Sequence, residues 1–302
     1  MTHATPGRPS ALRIWWLAAR PKTLGAAMAP VLLGTALAAV EGPLHLPSVL
    51  LCFAGALLLQ IGTNYCNDLA DFLKGTDKDR IGPIRATQAG WVTPGQMKLA
   101  TQLVFAAAAL VCAGLVARAG WPLVVIGITS ILAGVLYTAG PYPLAYLGLG
   151  DLFVLIFFGP VAVAGTTYVQ TLTFAWTPIW LGFGPGLLSV GILIANNFRD
   201  LDGDRLAGKK TLAVRFGVTF TRLQYTVCLL IAGLLPWWVY PEGAMTGPLR
   251  MLLLLGASLL VLIPIPFVWK HEGRALNPLL ARTARVLMGY CLLVALAWVI
   301  PA

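Results

Sequence analysis

The sequence predicts an all-α, polytopic membrane protein, and three observations carry that expectation. Hydrophobic residues make up 58% of the 302 residues, with a mean hydropathy of +0.82. Charged residues are only 11%, against about 25% in a soluble domain. Apolar runs recur along the whole length, each near the roughly twenty residues that carry a helix across a bilayer. Short alternating segments are absent, which argues against an outer-membrane barrel.

Nine spans are expected, at about Thr23–Val40, Pro47–Tyr65, Lys98–Arg118, Trp121–Tyr137, Gly150–Val169, Thr177–Ala195, Arg222–Tyr240, Arg250–Phe267 and Thr283–Ile300. Pro and Gly punctuate the connections, as in GPLHLP and YPEGAMTGP. Residues 1–22 read as a polar cytoplasmic segment without a cleavable signal pattern, and 23–302 as one transmembrane domain.

Lys and Arg orient the chain. With the N-terminus in the cytoplasm, 19 of the 21 basic residues fall in inside segments, and only Arg118 and Arg250 fall outside. That asymmetry follows the positive-inside rule, supports an odd number of spans, and assigns the chain to a cytoplasmic membrane with its lipid as partner. The net charge of +10 is therefore a matter of loop placement, and no nucleic-acid partner is expected. The five cysteines are widely spaced in or beside apolar runs, as small buried hydrophobes are.

Acidic residues are few and gathered. Of eleven, seven form two clusters, Asp68, Asp71, Asp77 and Asp79, and Asp200, Asp202 and Asp204. Each follows an even-numbered span on the expected cytoplasmic side. Asn67 and Asp71 are four apart, as are Asn196 and Asp200, and the pairs are offset by 129 residues. This indicates a duplicated four-helix unit with a ninth helix added.

Residues four apart share a helix face, so Asn67, Asp68 and Asp71 are expected to converge, as are Asn196, Asp200 and Asp204. Grouped carboxylates repel one another unless a cation neutralises them, and hard oxygen ligands suit Mg²⁺, which completes its shell with water and substrate phosphate. Two facing clusters thus suit a Mg²⁺–diphosphate site, with Lys74, Lys78, Arg80, Arg85, Arg199, Lys209 and Lys210 adding positive charge. Asp79 and Asp202 read instead as solvated or paired with Arg80 and Arg205, and Asp151 as a helix cap. A diphosphate beside a bilayer suggests an isoprenoid donor, its tail lying along a stretch such as DLFVLIFFGPVAVAGTTYVQ.

Transport is a competing reading, but it favours acidic residues at the bilayer midplane on broken helices. A CDP-alcohol phosphotransferase needs DG-x-x-AR, where this chain has Asp71-Phe72-Leu73.

NDLAD with KGTD and DRIGPIR resembles the first Asp-rich motif of the UbiA superfamily of intramembrane aromatic prenyltransferases. NNFRDLDGDRLAGKKTLAVRFG resembles their second, and RPKTL the start of their first helix. YTAGPYPLAYLGLGD and FFGPVAVAGTTYVQ are similar to the 1,4-dihydroxy-2-naphthoate polyprenyltransferase branch. One departure is Gly75, where many superfamily members carry a third Asp; Asp77 takes that role if the loop brings it in, and KGxD is the spelling of the naphthoate branch. The resemblance implies nine helices around a central cavity, with polyprenyl diphosphate and 1,4-dihydroxy-2-naphthoate as substrates and Mg²⁺ as cofactor. Metal binding falls to Asp68, Asp71, Asp200 and Asp204, helped by Asn67, Asn196 and Asp77. Lys22, Arg80, Arg85, Arg199, Lys209 and Lys210 are candidates for the diphosphate or the acceptor carboxylate. Tyr137 is placed either to shield an allylic cation through its π face or to sit in an interfacial aromatic belt. Within the superfamily, a 4-hydroxybenzoate, homogentisate, haem or chlorophyll acceptor is the alternative.

Overall fold

The computed structural model describes residues 9–75, 81–240 and 247–300. Every regular element among them is helical. A short helix, α1 (Ala11–Ala18), precedes α2 (Pro21–Glu41), α3 (Leu46–Lys74), α4 (Pro94–Ala119) and α5 (Trp121–Leu136). After the four-residue α6 (Leu144–Leu147) come α7 (Gly150–Phe157), α8 (Pro160–Thr171) and α9 (Trp176–Arg199). The chain continues through α10 (Leu201–Leu206), α11 (Leu212–Val239), α12 (Pro248–Leu260), α13 (Ile265–Lys270) and α14 (Asn277–Val299).

Eight helical stretches among the described residues are long and apolar enough to cross a membrane, counting α7–α8 and α12–α13 as one each. The protein is a multi-pass membrane protein. The fourth expected span is α5, whose 16 residues extend about 24 Å at the helical rise, short of a hydrocarbon core of about 30 Å. By length, eight stretches among the described residues qualify, and the shorter α5 lies where the fourth of the nine expected spans falls.

Proline explains the two interrupted spans. Pro160 has no N–H for the Ile156 carbonyl, and the fifth span breaks between α7 and α8. Pro264 marks the same event between α12 and α13. At its start α4 is fixed by a capping box, Thr93 accepting from the Gln96 N–H at 3.2 Å and Gln96 from the Thr93 N–H at 3.0 Å.

Helix packing repeats along the chain. α3 lies on α2 and α4, as α9 lies on α8 and α11; α4 meets α5 as α11 meets α12. The two units meet where α2 packs on α8, and α14 closes the bundle against α2, α9 and α12. The main core, with Leu33, Leu188, Leu229, Leu287 and Tyr290 fully buried, lies among these central helices. Outer helices turn Leu103, Leu110, Ile128, Leu252 and Leu259 outward, the surface that lipid tails cover.

Length places the first Asp motif. The 29 residues of α3 span about 44 Å, about 14 Å more than a bilayer core, so the helix continues past the expected membrane edge with Asn67, Asp68 and Asp71 on it. The second motif is not one continuous helix: α9 stops at Arg199, Asp200 is non-helical, and Asp204 lies on the separate α10.

The N-terminal segment holds more structure than its polarity implies. Ile14, Ala18 and Ala19 pack with Tyr65, Ala86 and Met97, and the Trp15 and Tyr65 rings are 5.5 Å apart. The eight residues of α1 are too few to reveal a helical period in the sequence.

Candidate active site

A cavity of about 420 Å³ lies inside the bundle. One end is polar and lined by Asn67, Asp71, Asn196, Asp200, Asp204 and Lys209. The other is apolar, reaching Val31, Cys52, Leu115, Leu123 and Val169. Between them Phe153, Phe157, Phe158 and Val161 form a wall, so the DLFVLIFFGPVAVAGTTYVQ stretch does face the interior.

Asp71 and Asn67 face the cavity from α3. The Arg85 guanidinium donates to Asp71 Oδ2 at 2.8 Å, both side chains being 6% exposed. Asn67 Oδ1 accepts from the Thr138 hydroxyl. Asp68 is a correction to the converging trio, because it is not among the cavity-lining residues. Its two carboxylate oxygens accept the N–H groups of Ala86 and Thr87 at 3.0 and 3.1 Å. Three positions on a helix span about 100° per step, and the loop after α3 takes the carboxylate that turns aside. Asp68 and Asp71 thus hold residues 85–87 from both sides.

The second motif is organised by Arg199. Its guanidinium forks onto Asp200 at 2.8 and 2.5 Å and donates to Asn196 Oδ1 at 2.8 Å. The Arg199 side chain is 1% exposed and outside the cavity lining, its donors turned to Asp200, Asn196 and Asn277, so it orients the second motif.

Lys209 joins the two motifs. Its Nζ lies 3.1 Å from Asp204 Oδ1 and 3.9 Å from Asp71 Oδ1. Burial alone would lower the Lys209 pKa, but the Asp71 and Asp204 carboxylates outweigh it and hold the ammonium charged. Burial raises the Asp204 pKa; Lys209 opposes that rise, while Asp200 and Asp71 reinforce it. A cation thus stands where carboxylates from the two halves of the repeat approach.

Tyr137 lines the cavity, and Arg85 does so as well. Lys22 and Lys210 are exposed and lie outside the cavity lining, Lys22 in the first turn of α2 and Lys210 in the loop before α11. Asp77, Asp79 and Arg80 lie outside the described residues. Asp202 pairs with Arg205 at 3.5 Å, as expected of a surface charge. Asp151 is not the cap of α7, which is Leu149; it lies in the first turn and accepts from Gln224 at 3.0 Å. All five cysteines are free.

Arg20 and Tyr146 are among the lining residues that motif spacing does not single out. Arg20, the left-handed residue before α2 (φ 55°), reaches the cavity. Its backbone is set by Asn64, which donates to the neighbouring Ala19 carbonyl at 2.9 Å. Tyr146 also lines the cavity. Both lie in quoted motifs, RPKTL and YTAGPYPLAYLGLGD, but no spacing rule singles out a residue in a loop.

Asn67, Asp71, Asn196, Asp200 and Asp204 offer only oxygen donors, a set suited to Mg²⁺ and unsuited to a soft metal. Among the described residues no three His, Cys, Asp or Glu side chains already converge as a cage. Mg²⁺ takes one or two carboxylates and leaves the remaining positions to water and phosphate.

Residues 27–288 match the UbiA prenyltransferase family. The chain is 39% identical over 284 residues to the 1,4-dihydroxy-2-naphthoate octaprenyltransferase of Mycobacterium tuberculosis, covering 93% of this chain and 95% of that one. It is 38% identical to the enzyme of the same name from Escherichia coli, covering 91% and 92%. A solved UbiA homolog from Archaeoglobus fulgidus, bound to DMAPP and Mg²⁺, shares the fold with a TM-score of 0.65 at 15% identity, over 93% of this chain and 98% of that one. The chain belongs to the UbiA prenyltransferase family.

Proposed function

We propose that this protein transfers a polyprenyl group from a polyprenyl diphosphate to 1,4-dihydroxy-2-naphthoate, with loss of the carboxylate as CO₂, giving a demethylmenaquinol for menaquinone biosynthesis. The observation that carries the reaction type is the meeting of both Asp motifs at one end of a cavity whose other end is apolar. The acceptor is supported by the relatives named for that substrate at 39% and 38% identity.

The donor's head group belongs at the polar end and its tail along the phenylalanine wall. Asp71, Asp200 and Asp204, with Asn67 and Asn196, are the residues that would hold Mg²⁺, with Asp77 a further candidate. When bound, Mg²⁺ neutralises the diphosphate and makes it a better leaving group. Arg85 and Arg199 keep Asp71 and Asp200 in place, and Lys209 offers its ammonium to the phosphate oxygens. Breaking the allylic C–O bond sends its electron pair to the diphosphate and leaves positive charge on carbon. Tyr137 presents a π face to that charge, and the apolar walls exclude the water that would quench it. The electron-rich naphthoate ring forms the new C–C bond, loses CO₂ and returns to aromaticity.

The same reading puts the protein in the cytoplasmic membrane as nine spans, residues 23–302 forming one domain, with the N-terminus and the polar cavity end on the cytoplasmic side. Placement of 19 of 21 basic residues supports it. The deciding experiment is mass spectrometry of products from detergent-solubilised protein given a polyprenyl diphosphate and dihydroxynaphthoate, with Mg²⁺ or with EDTA. A prenylated, decarboxylated product that requires Mg²⁺ is expected. Prenylation of 4-hydroxybenzoate but not of dihydroxynaphthoate would overturn the acceptor.

A further inference from the structure

The connector between α5 and α7 carries YTAGPYPLAYLGLGD, and most of it is unused by the reaction above. It lies against both Asp-motif loops. Lys74, at the end of the first motif's helix, donates to the Thr138 carbonyl at 2.6 Å, and its Nζ is 4.4 Å from the centre of the Tyr146 ring. Lys209, from the second motif, places its Nζ 5.2 Å from the same ring centre while it contacts Asp204 and Asp71.

The backbone pins this ring. The Lys210 N–H donates to the Tyr146 carbonyl at 2.9 Å, and the Arg215 guanidinium to the Leu147 carbonyl at 2.8 Å. Gly148 has φ +76°, and a Cβ there would stand 2.6 Å from the Lys210 carbonyl oxygen. Only glycine lets the connector lie this close to the second motif's loop.

Two ammonium groups near one ring repel each other, and the ring's negative face attracts both. We propose that Tyr146 is a positioning residue whose ring seats Lys74 and Lys209 together, so that the donor diphosphate meets two prearranged cations. The inference rests on the prenyl-transfer reading and assigns the π face, not the hydroxyl, as the operative group. Phenylalanine keeps that face and leucine lacks it.

The test is equilibrium binding of geranyl thiolodiphosphate, a donor analogue that resists turnover, to the full chain in detergent with Mg²⁺. Tyr146→Leu is expected to weaken binding about tenfold and Tyr146→Phe less than about twofold, as loss and retention of cation–π contacts imply. In a Lys209→Ala background, the Leu substitution should cost less than about threefold, because one of its two cations is already gone. Dihydroxynaphthoate affinity should not move in Tyr146→Leu. Equal losses in Phe and Leu, no loss in Leu, or the same loss with and without Lys209 would each overturn the assignment. If Tyr146→Leu does not fold, progressively fluorinated phenylalanine at position 146 should weaken analogue binding in steps, and a flat series overturns the proposal. Failure of the wild-type chain to bind the analogue would count against the prenyl-transfer reading itself.

Discussion

Asp68 and Asp71 are three residues apart and do different work. Asp71 faces the cavity, and Asp68 accepts two backbone N–H groups. Asp71→Asn keeps a side-chain acceptor for Arg85 but leaves that buried guanidinium without its countercharge, so turnover should fall by at least about a hundredfold and the melting temperature should drop as well. Asp68→Ala leaves two buried N–H groups without their acceptor, a loss of about 3 kcal/mol. Its melting temperature should drop before any effect on Mg²⁺ affinity is considered. Paired activity assays and thermal unfolding in detergent check both outcomes. Asp204 supplies a pH test. Because burial raises its pKa, its carboxylate protonates at a higher pH than a free aspartate. The charged form attracts the cation, so Mg²⁺ affinity should be full above that raised pKa and fall as pH drops through it. Calorimetric Mg²⁺ titrations across pH should show this, and Asp204→Asn should flatten the profile. The composition and spacing of these Asp residues were legible in the sequence, but the direction each side chain takes was not. Direction depends on the loop at 85–87, which competes for Asp68, and on Arg199, which claims Asp200.

At the scale of elements, periodicity and hydropathy located the helices, and proline explained their breaks, but α3 runs nine residues past Tyr65, and α11 begins ten residues before Arg222 and α14 six before Thr283. Those patterns did not reveal how closely two helices approach. α8 and α9 meet through Gly159, Gly182 and Gly186. A Cβ on Gly186 would lie 2.6 Å from the Leu155 carbonyl oxygen and 3.1 Å from the Gly159 Cα. Backbone cannot yield there as a flexible side chain would, so Gly186→Ala should destabilise the bundle by about 1–3 kcal/mol. A lower midpoint in detergent unfolding, with donor binding weakened because the phenylalanine wall shifts, is the expected result. An unchanged midpoint would mean that α8 and α9 separate without cost. The stop of α9 at Arg199, against the continuous α3, was equally hidden. The second motif holds Asp and Gly, weak helix formers, but composition does not mark the residue at which the helix stops, where Arg199 forks onto Asp200.

Across the whole molecule, the repeat brings two distant sequences to one place. Residues 129 apart in the chain line the same cavity end, and Lys209 bridges Asp71 to Asp204. The charge asymmetry predicts which face of the membrane that end meets. In a cysteine-free background, Lys210→Cys should react with a membrane-impermeant maleimide from the cytoplasmic side, and Gly42→Cys from the opposite side. The reverse pattern would invert the topology. Arg250, one of the two basic residues expected on the outside, has a structural role: it donates to the Ala297 carbonyl at 3.1 Å and to the Ile300 carbonyl, closing the end of α14.

The sequence by itself determined the membrane class, the order of the helices, the orientation bias and the two Asp-rich motifs. Those depend on local composition, and a bilayer reads local composition directly through hydrophobic length and charge. Only the tertiary structure decided which carboxylates face the cavity, that Lys209 joins the two motifs, and that Arg20 and Tyr146 reach the site. These depend on contacts between segments far apart in the chain, where a rotation of about 100° per helical residue turns a side chain from cavity to loop.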